Sequence, residues 1–299
     1  MTAARIYACT WSLFPVMGPV EAARFAARNG FQGLEINCDP LDFWPGLVNE
    51  AILAELVAIG KGEGVGFTLY NPSAVNPASL LPEEQIAGDE IIKRAAETAV
   101  RLGSPVLCIH PGVIAELFSL ERHGVPFSTG RYDRESLRRQ AWRRAAETIG
   151  RWADLLTPAG LKLVVENEVH VRYTAAPTAQ SLADMVEAAG RPNVKVNFDT
   201  GHAFVGGGLA EEFAVLEPYI AHVHLNDNQR KVSEHLPLGM GRVEFASIAD
   251  FLATLDAALV LEIYAPERPV AAMLESRDYI LRLIAQVSGL SRPPEDRRK

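Results

Sequence analysis

Four apolar runs in the second half of the chain each end in a side chain that binds metal ions readily. The runs are LVVEN with Glu166, VKVNFDTGH with Asp199, HVHLND with His224 and LVLEI with Glu262. Short apolar runs separated by helical segments are typical of buried parallel strands. When such strands close into a barrel, their C-terminal ends lie at one face. We therefore expect the four side chains to converge on one metal ion.

Strand-like and helix-like segments alternate along the whole chain. The first strand is predicted at residues 6–12, seven further strands follow, and a helix at residues 270–287 ends the pattern. This order predicts an α/β fold of the (β/α)8 TIM-barrel type, with residues 1–290 as a single domain. Residues 291–299 are expected to be a polar tail. An insertion at residues 113–131 follows the fourth strand, on the face where such barrels carry their active sites.

The charge and composition of the chain restrict its partners. The chain has 299 residues, of which 48% are hydrophobic, and a net charge of −8 without a basic run outside its extreme C-terminus. Nucleic acids need a basic surface, so we expect no nucleic-acid partner and a small, neutral or weakly charged substrate. No apolar run approaches the ~20 residues of a membrane span, so no membrane partner is expected. A homo-oligomer is compatible with the sequence.

The cysteines and the N-terminus bear on the compartment. Cys9, Cys38 and Cys108 each lie in or at the end of a strand-like run, and none belongs to a CxxC motif. Such cysteines are expected to be buried free thiols in a reducing environment. The first residues, MTAARIYACTW, contain no signal-peptide core. We therefore expect a cytoplasmic protein.

The order Glu, Asp, His, Glu on the last four strands resembles that of the xylose-isomerase-like TIM barrels. This superfamily includes sugar phosphate isomerases and epimerases and the AP endonucleases of family 2. The resemblance covers essentially the whole chain and implies that Glu166, Asp199, His224 and Glu262 hold one divalent ion. Three carboxylates and one imidazole suit Mn²⁺, Mg²⁺, Co²⁺ and Zn²⁺ alike, so the ligand types do not select the metal.

The resemblance also implies residues that contact the substrate. His202, in the loop that leaves strand six, matches a histidine that contacts substrate oxygen in the ketose epimerases. Arg230, after strand seven, matches their substrate-binding arginine. His110 and His235 match metal-ligand histidines of the endonucleases, and here we expect both to bind substrate.

Departures from the endonuclease pattern favour a single metal ion. Tyr70 stands at about the position of an endonuclease histidine ligand, and Ser233 stands where a further metal site needs an aspartate. Each change removes a ligand of an additional zinc ion, so only the four-residue site is complete. Arg172 replaces a second glutamate of the ketose epimerases, which leaves the identity of the substrate open.

A divalent ion between two glutamates suits proton transfer next to a carbonyl group. The ion stabilises an enediolate as a Lewis acid, while Glu166 and Glu262 remove a proton on one face and return it on the other. This predicts a metal-dependent isomerase or epimerase of a small sugar or hydroxy-keto compound. A dehydratase of the inosose or dehydroshikimate type is the alternative. An AP endonuclease and a non-catalytic carbohydrate-binding barrel are the remaining hypotheses.

Other polar and aromatic residues also lie on or near the predicted strands. Glu35 and Glu168 share the inward-facing parity, and for Glu35 we favour a structural role. His222, two residues before the candidate ligand on its strand, is expected to be a hydrogen-bonded core histidine. Three aromatic residues near the barrel mouth could form an apolar wall against a sugar ring, although packing is the more common role of such residues: Trp11, Phe43 and Trp44.

Overall fold

The computed structural model describes residues 4–14, 16–115, 117, 133–169 and 173–287. Eight parallel strands pair in chain order, and the eighth pairs with the first to close a barrel. The strands are β1 Arg5–Cys9, β2 Gly33–Asn37, β3 Gly66–Tyr70, β4 Val106–Ile109, β5 Lys162–Glu166, β6 Val194–Asp199, β7 Ile220–Leu225 and β8 Ala258–Leu261. The predicted (β/α)8 TIM-barrel fold is confirmed.

Helices connect the strands and surround the barrel. The α-helices of the described ranges are Thr10–Leu13, Pro19–Arg28, Glu50–Glu63, Pro82–Leu102, Arg134–Leu156, Ala179–Ala189, Thr200–Gly206, Leu209–Leu216, Ala249–Thr254 and Pro269–Val287. Short 3-10 helices lie at Thr157–Ala159, Glu217–Tyr219 and Phe245–Ile248. No helix in the described part of the chain combines the length and apolar character needed to cross a bilayer.

Two predicted segments fall mainly or wholly outside the described residues. Of the insertion at residues 113–131, the structure describes only residues 113–115 and residue 117. The tail at residues 291–299 and Arg172 lie entirely outside the described ranges.

The core consists of aliphatic strand residues covered by the apolar faces of the helices. Trp152 on the helix Arg134–Leu156 is fully buried, and its indole nitrogen donates a 2.6 Å hydrogen bond to Asp89. Cys9, Cys38 and Cys108 are buried and unpaired, in agreement with the prediction of free thiols. Burial raises the pKa of all three thiols above their ordinary value, so they remain protonated at neutral pH.

Two glycines make room for an aromatic ring inside the barrel. A Cβ atom on Gly33 would lie 2.2 Å from the ring of Tyr7, and one on Gly66 would lie 2.3 Å from its hydroxyl oxygen. Tyr7 is therefore able to pack across the starts of β2 and β3. The polar site is built at the opposite ends of these strands.

The pairing of β6 with β7 determines how deep in the barrel the two histidines of HVHLND lie. The register shifts between Val196 and Asn197, after which Asn197 pairs with His222 and Asp199 pairs with His224. A local irregularity of this kind redirects side chains, and such features are common beside active sites. The shift places His224 level with the last residue of β6 and His222 one layer deeper.

Candidate metal centre and active site

The four predicted ligands converge at the C-terminal ends of neighbouring strands. Glu166 and Asp199 end β5 and β6, His224 lies near the end of β7, and Glu262 directly follows β8. One ligand atom from each of the four residues lies within 4.8 Å of the others. Ligands on opposite sides of an ion with ~2.1 Å bonds stand about 4.2 Å apart, so this spacing suits one ion. The convergence is as predicted, while metal binding itself stays a prediction.

The electrostatics of the cluster favour a positive charge at its centre. His224 Nδ1 lies 3.0 Å from Glu166 Oε1 and 3.1 Å from Glu262 Oε2. Burial lowers the pKa of His224, but the carboxylates of Glu262, Glu35 and Glu166 outweigh burial and raise it well above its ordinary value. A divalent cation would supply the positive charge that these acids attract. The donor set therefore fits such an ion.

The carboxylate of Glu262 is ionised. Its burial raises the pKa, but His224 and His235 outweigh that effect and lower it to about 2. Its main-chain nitrogen donates to Leu225 O at 3.1 Å, which extends the pairing of β8 with β7 by one residue. Glu262 is thus held on the rigid barrel rim as an acceptor for a cation or a proton.

Three residues that the sequence did not assign to the site hold its carboxylates. The Tyr70 hydroxyl donates a short hydrogen bond to Glu166 Oε2. Asn226 Nδ2 donates to Asp199 Oδ2 at 2.6 Å. Asn167 accepts a hydrogen bond from the main-chain nitrogen of Asp199 at 2.7 Å and donates to its carbonyl oxygen at 3.0 Å. The carboxylates of Glu166 and Asp199 are therefore oriented by side chains of the protein itself.

The glycine of the DTGH motif allows this arrangement. A Cβ atom on Gly201 would lie 1.8 Å from Asn226 Oδ1. Only glycine therefore lets Asn226 reach Asp199. The positions of the two asparagines, directly after β5 and β7, were the available signal in the sequence for their role.

His110 forms a charged pair with Glu168 at the edge of the site. His110 Nδ1 lies 2.5 Å from Glu168 Oε1, and its Nε2 lies 2.7 Å from the Tyr70 hydroxyl. Burial lowers the pKa of His110, but Glu168 and then Glu166 outweigh it and raise the value to about 9. Burial raises the pKa of Glu168, but His110 lowers it to about 2. His110 therefore lies beside the cluster as a cation, which suits the predicted contact with substrate oxygen.

The structure corrects the local setting of His202. This residue belongs to the helix Thr200–Gly206 rather than to a loop, and its main-chain nitrogen donates to the capping Asp199 Oδ1 at 2.7 Å. Its ring Nδ1 contacts Asn167 O at 2.9 Å. Burial lowers the pKa of His202, but Asp199 and Glu168 outweigh it and raise the value to about 9. A short helix thus holds the side chain directly beside the four-residue cluster.

His235 reaches the same region from the loop after β7. Its Nδ1 lies 3.0 Å from Glu262 O, and its ring stands 5.4 Å from the ring of His202. Asp199, His202 and His235 offer a second set of ligand atoms within 4.8 Å of one another. The second set shares Asp199 with the first and offers three ligand atoms instead of four, so the first set is the more complete site.

Arg230 lies apart from the cluster. Its side chain is exposed, its guanidinium stands 5.1 Å from the centre of the Phe204 ring, and its φ of 69° is in the left-handed region. Its main-chain nitrogen donates to Asn228 Oδ1 at 2.8 Å. Among the described contacts, none links its guanidinium to the four predicted ligands. Its contact with substrate stays a prediction.

A cavity of about 560 Å³ opens beside the site, between the segments that follow β1, β2 and β8. Its walls include Trp11, Phe43 and Tyr264, whereas Trp44 is not among its lining residues. The Trp11 ring stands 5.4 Å from the ring of His235 and 5.7 Å from that of Tyr264. Two of the three aromatic residues thus line this cavity, and Trp11 links it to His235 beside the candidate metal centre.

Comparison with known sequences gives relatives over most of the chain. An uncharacterized protein of Methanocaldococcus jannaschii, MJ1311, is 28% identical over 230 residues, which cover 76% of this chain and 72% of the relative. L-ribulose 3-epimerase of Methylomonas sp. strain DH-1 is 24% identical over 261 residues, which cover 85% of this chain and 79% of that enzyme.

Comparison with solved structures gives the same fold. A D-tagatose 3-epimerase-like protein matches with a TM-score of 0.78 and 23% identity, covering 95% of this chain and 99% of the other. The IOLI protein with a zinc atom matches with a TM-score of 0.73 and 15% identity, covering 94% and 98% of the two chains. The family model described as xylose isomerase-like TIM barrel matches residues 23–283. The chain belongs to the xylose isomerase-like TIM barrel family.

Proposed function

We propose that this protein is a divalent-metal-dependent epimerase or isomerase of a small, neutral sugar or hydroxy-keto compound. Its relatives of named activity include L-ribulose 3-epimerase and a D-tagatose 3-epimerase-like protein, and the IOLI structure holds zinc. These names support the reaction class. In this chain, the side chains at the strand ends supply the groups that such a reaction needs.

The observation that carries the proposal is the placement of two glutamates around one point. Glu166 Oε1 and Glu262 Oε2 lie 3.0 and 3.1 Å from the same nitrogen, His224 Nδ1. A substrate carbon beside this point would have a carboxylate within reach from two strands, β5 and the end of β8. One glutamate can remove a proton and the other can return it, which inverts the configuration of that carbon.

Glu166, Asp199, His224 and Glu262 would hold the ion. When bound, it would polarise the substrate carbonyl and stabilise the negative charge that develops on its oxygen. The protein supplies the remaining functions. Tyr70 orients Glu166, and Asn226 orients Asp199, so neither carboxylate must reorganise during the reaction.

The cavity beside the centre favours a neutral substrate. Its lining combines aromatic and aliphatic side chains with Asp39 and Asp42, and the described residues that line it include no lysine or arginine. A phosphate group in this cavity would meet two carboxylates without a compensating cation. We therefore propose an unphosphorylated substrate, whose apolar carbon face packs against Trp11 and Tyr264.

Deuterium exchange tests the reaction class. The metal-loaded protein is incubated in D₂O with neutral ketopentoses, ketohexoses and keto-inositols, and NMR follows the proton on the carbon next to the carbonyl. We expect deuterium at that carbon together with the epimeric or isomeric sugar. A product that absorbs in the ultraviolet, without a deuterated epimer, would instead establish the dehydratase. No exchange with any substrate of the panel would contradict the proposal.

The phosphate esters of the same ketoses provide the matched comparison. Because like charges repel strongly when desolvated, we expect kcat/KM for the neutral ketose to exceed that for its phosphate ester by about tenfold or more. Equal or better turnover of the ester would show that the cavity at Asp39 and Asp42 does not receive that end of the substrate.

A further inference from the structure

We propose that Glu35 is a positioning residue of the metal centre. Acting through His224, it determines which ring nitrogen of that histidine faces the cation. The inference rests on the metal-dependent function proposed above. Glu35 lies on β2, which pairs with β1 and β3 and not with the strands that carry the predicted ligands. It therefore reaches the centre only across the interior of the barrel.

The contacts of Glu35 are made with two buried histidines and a threonine. Its Oε1 lies 2.8 Å from His224 Nε2, and its Oε2 lies 3.2 Å from His222 Nε2. The Thr68 hydroxyl donates to Oε2 at 3.1 Å. The side chains of Glu35, His222 and His224 are at most 1% exposed. The group is therefore shielded from bulk solvent.

The two nitrogens of His224 face different groups. Nδ1 points to Glu166 and Glu262, whereas Nε2 points to Glu35. A neutral imidazole carries one proton, and with Glu166 and Glu262 bound to the cation on the Nδ1 side, Glu35 is the carboxylate that retains this proton. Glu35 thus keeps the proton on Nε2 and leaves the lone pair of Nδ1 for the cation. In the part of the chain that the structure describes, neither His224 Nε2 nor Glu35 Oε1 has a hydrogen-bond partner, so each depends on the 2.8 Å ion-pair contact with the other.

The same three residues offer ligand atoms within 4.8 Å of one another, so a second cation is the competing reading of this group. Two features favour the positioning role. The distance of 2.8 Å between Glu35 Oε1 and His224 Nε2 is that of a direct ion pair between a carboxylate and an imidazole ring. An ion between them would also displace the Nε2 proton of His224 while the first ion occupies Nδ1, which leaves the ring without a proton.

The wild-type protein gives the first test. Histidine is labelled with ¹⁵N, the metal-free protein is titrated with Zn²⁺, and long-range ¹H–¹⁵N spectra assign the proton and the metal to the two nitrogens of His224. We expect the proton on Nε2 and zinc on Nδ1. Zinc on Nε2 overturns the proposal, and so does a second zinc ion that is lost in Glu35→Gln.

Two variants give the second test, through zinc affinity measured by competition with a chelator. Glu35→Gln removes the charge, and we expect affinity to fall by about 10- to 100-fold, the usual effect of losing such a partner. Glu35→Asp keeps the charge with shorter reach, so a smaller loss and an unchanged proton position are expected. Glu212→Gln makes the same chemical change at another buried glutamate, and its affinity should equal that of the wild type. Wild-type affinity in Glu35→Gln overturns the proposal.

The outcomes separate this inference from the proposed reaction. A wild-type protein that binds no divalent ion overturns both. A protein that binds zinc as described, yet exchanges no proton of any ketose, overturns the reaction and leaves the role of Glu35 standing. If Glu35→Gln does not fold, the wild-type spectra and Glu35→Asp decide.

Discussion

The two glutamates of the cluster have different surroundings. Glu166 has a side chain only 1% exposed, and Tyr70 donates to its Oε2. Glu262 has a side chain 13% exposed and lies 3.5 Å from His235 Nδ1. Because Glu262 meets the more open part of the site, its carboxylate is the better placed of the two for direct contact with the substrate.

Glu262→Gln tests this assignment. The change preserves the shape of the side chain but removes a ligand charge and a general base, so we expect kcat to fall by about 10²- to 10⁴-fold. The fold should be retained, because the residue lies on the rim rather than in the apolar core. Steady-state kinetics and circular dichroism on one preparation check both statements. A Gln variant with near wild-type turnover would show that the site is misassigned.

Arg230→Ala and His202→Ala test the predicted substrate contacts. If both residues form hydrogen bonds to substrate oxygens, metal content should stay at the wild-type level in each variant while kcat/KM falls by about one to three orders of magnitude. Because the Arg230 side chain is exposed, replacing it should leave kcat/KM unchanged unless it contacts the substrate. Metal analysis and kinetics are measured together. Loss of metal in His202→Ala would show that His202 is a metal ligand. Unchanged kinetics in Arg230→Ala would show that Arg230 does not contact the substrate.

Among the elements, the loop after β7 is organised around one buried acid. Asp227 is 1% exposed and accepts four main-chain hydrogen bonds, from Asn228 at 2.9 Å, Gly239 at 3.0 Å, Gly241 at 2.8 Å and Val243 at 2.9 Å. This loop carries both Arg230 and His235. A single carboxylate therefore fixes the segment that borders the substrate region.

Asp227→Asn should destabilise this loop. An amide presents one acceptor oxygen and places an NH₂ group against main-chain donors, so we expect the free energy of unfolding to fall by about 1–3 kcal/mol or more. The KM should rise, since the loop borders the site. Chemical denaturation and kinetics measure these effects. Asp250→Asn, at an exposed position, is the control and should change stability by less than about 0.5 kcal/mol. Equal effects of the two changes would contradict the role of Asp227.

The regular elements were predictable because their signals are local. Apolar runs identified the eight strands, and the strand ends that carry the four candidate ligands lie where predicted. The first strand was predicted too long, since β1 ends at Cys9 and Thr10–Leu13 form a helix. The helix Thr200–Gly206 was not predicted because its glycine-rich sequence resembles a loop and it begins only through the cap from Asp199. The roles of Glu35 and Tyr70 were not predictable from local pattern either. Each depends on contacts with residues far along the chain, which only closure of the barrel creates.

At the scale of the whole molecule, the barrel collects acids that repel one another. Glu166, Asp199 and Glu262 meet at the C-terminal face of the barrel, in a chain that already carries a net charge of −8. Concentrating like charges destabilises the folded state unless a counter-charge is bound. A divalent ion that binds only the folded barrel would stabilise it as well as serve the reaction.

We expect one tightly bound divalent ion per chain. The second set, Asp199, His202 and His235, offers three ligand atoms where the first offers four, and it shares its only carboxylate with the first. A second ion there would also stand close to the first and be repelled by it. Elemental analysis of the purified protein should therefore give a stoichiometry near one.

Removal of that ion by a chelator gives an independent measurement of how much the ion contributes to folding stability. With the ion at about 1,000 times its dissociation constant, binding contributes about 4 kcal/mol to folding stability, so a strong chelator should lower Tm by several degrees. In Glu262→Gln, which should hold less bound ion, the chelator should lower Tm by less than in the wild type. In His235→Ala, which should retain one ion, the chelator should lower Tm by as much as in the wild type. Two ions per wild-type chain, one of them lost in His235→Ala, would establish a dinuclear centre. An unchanged Tm on chelation in the wild type would show that the acids are balanced without a metal.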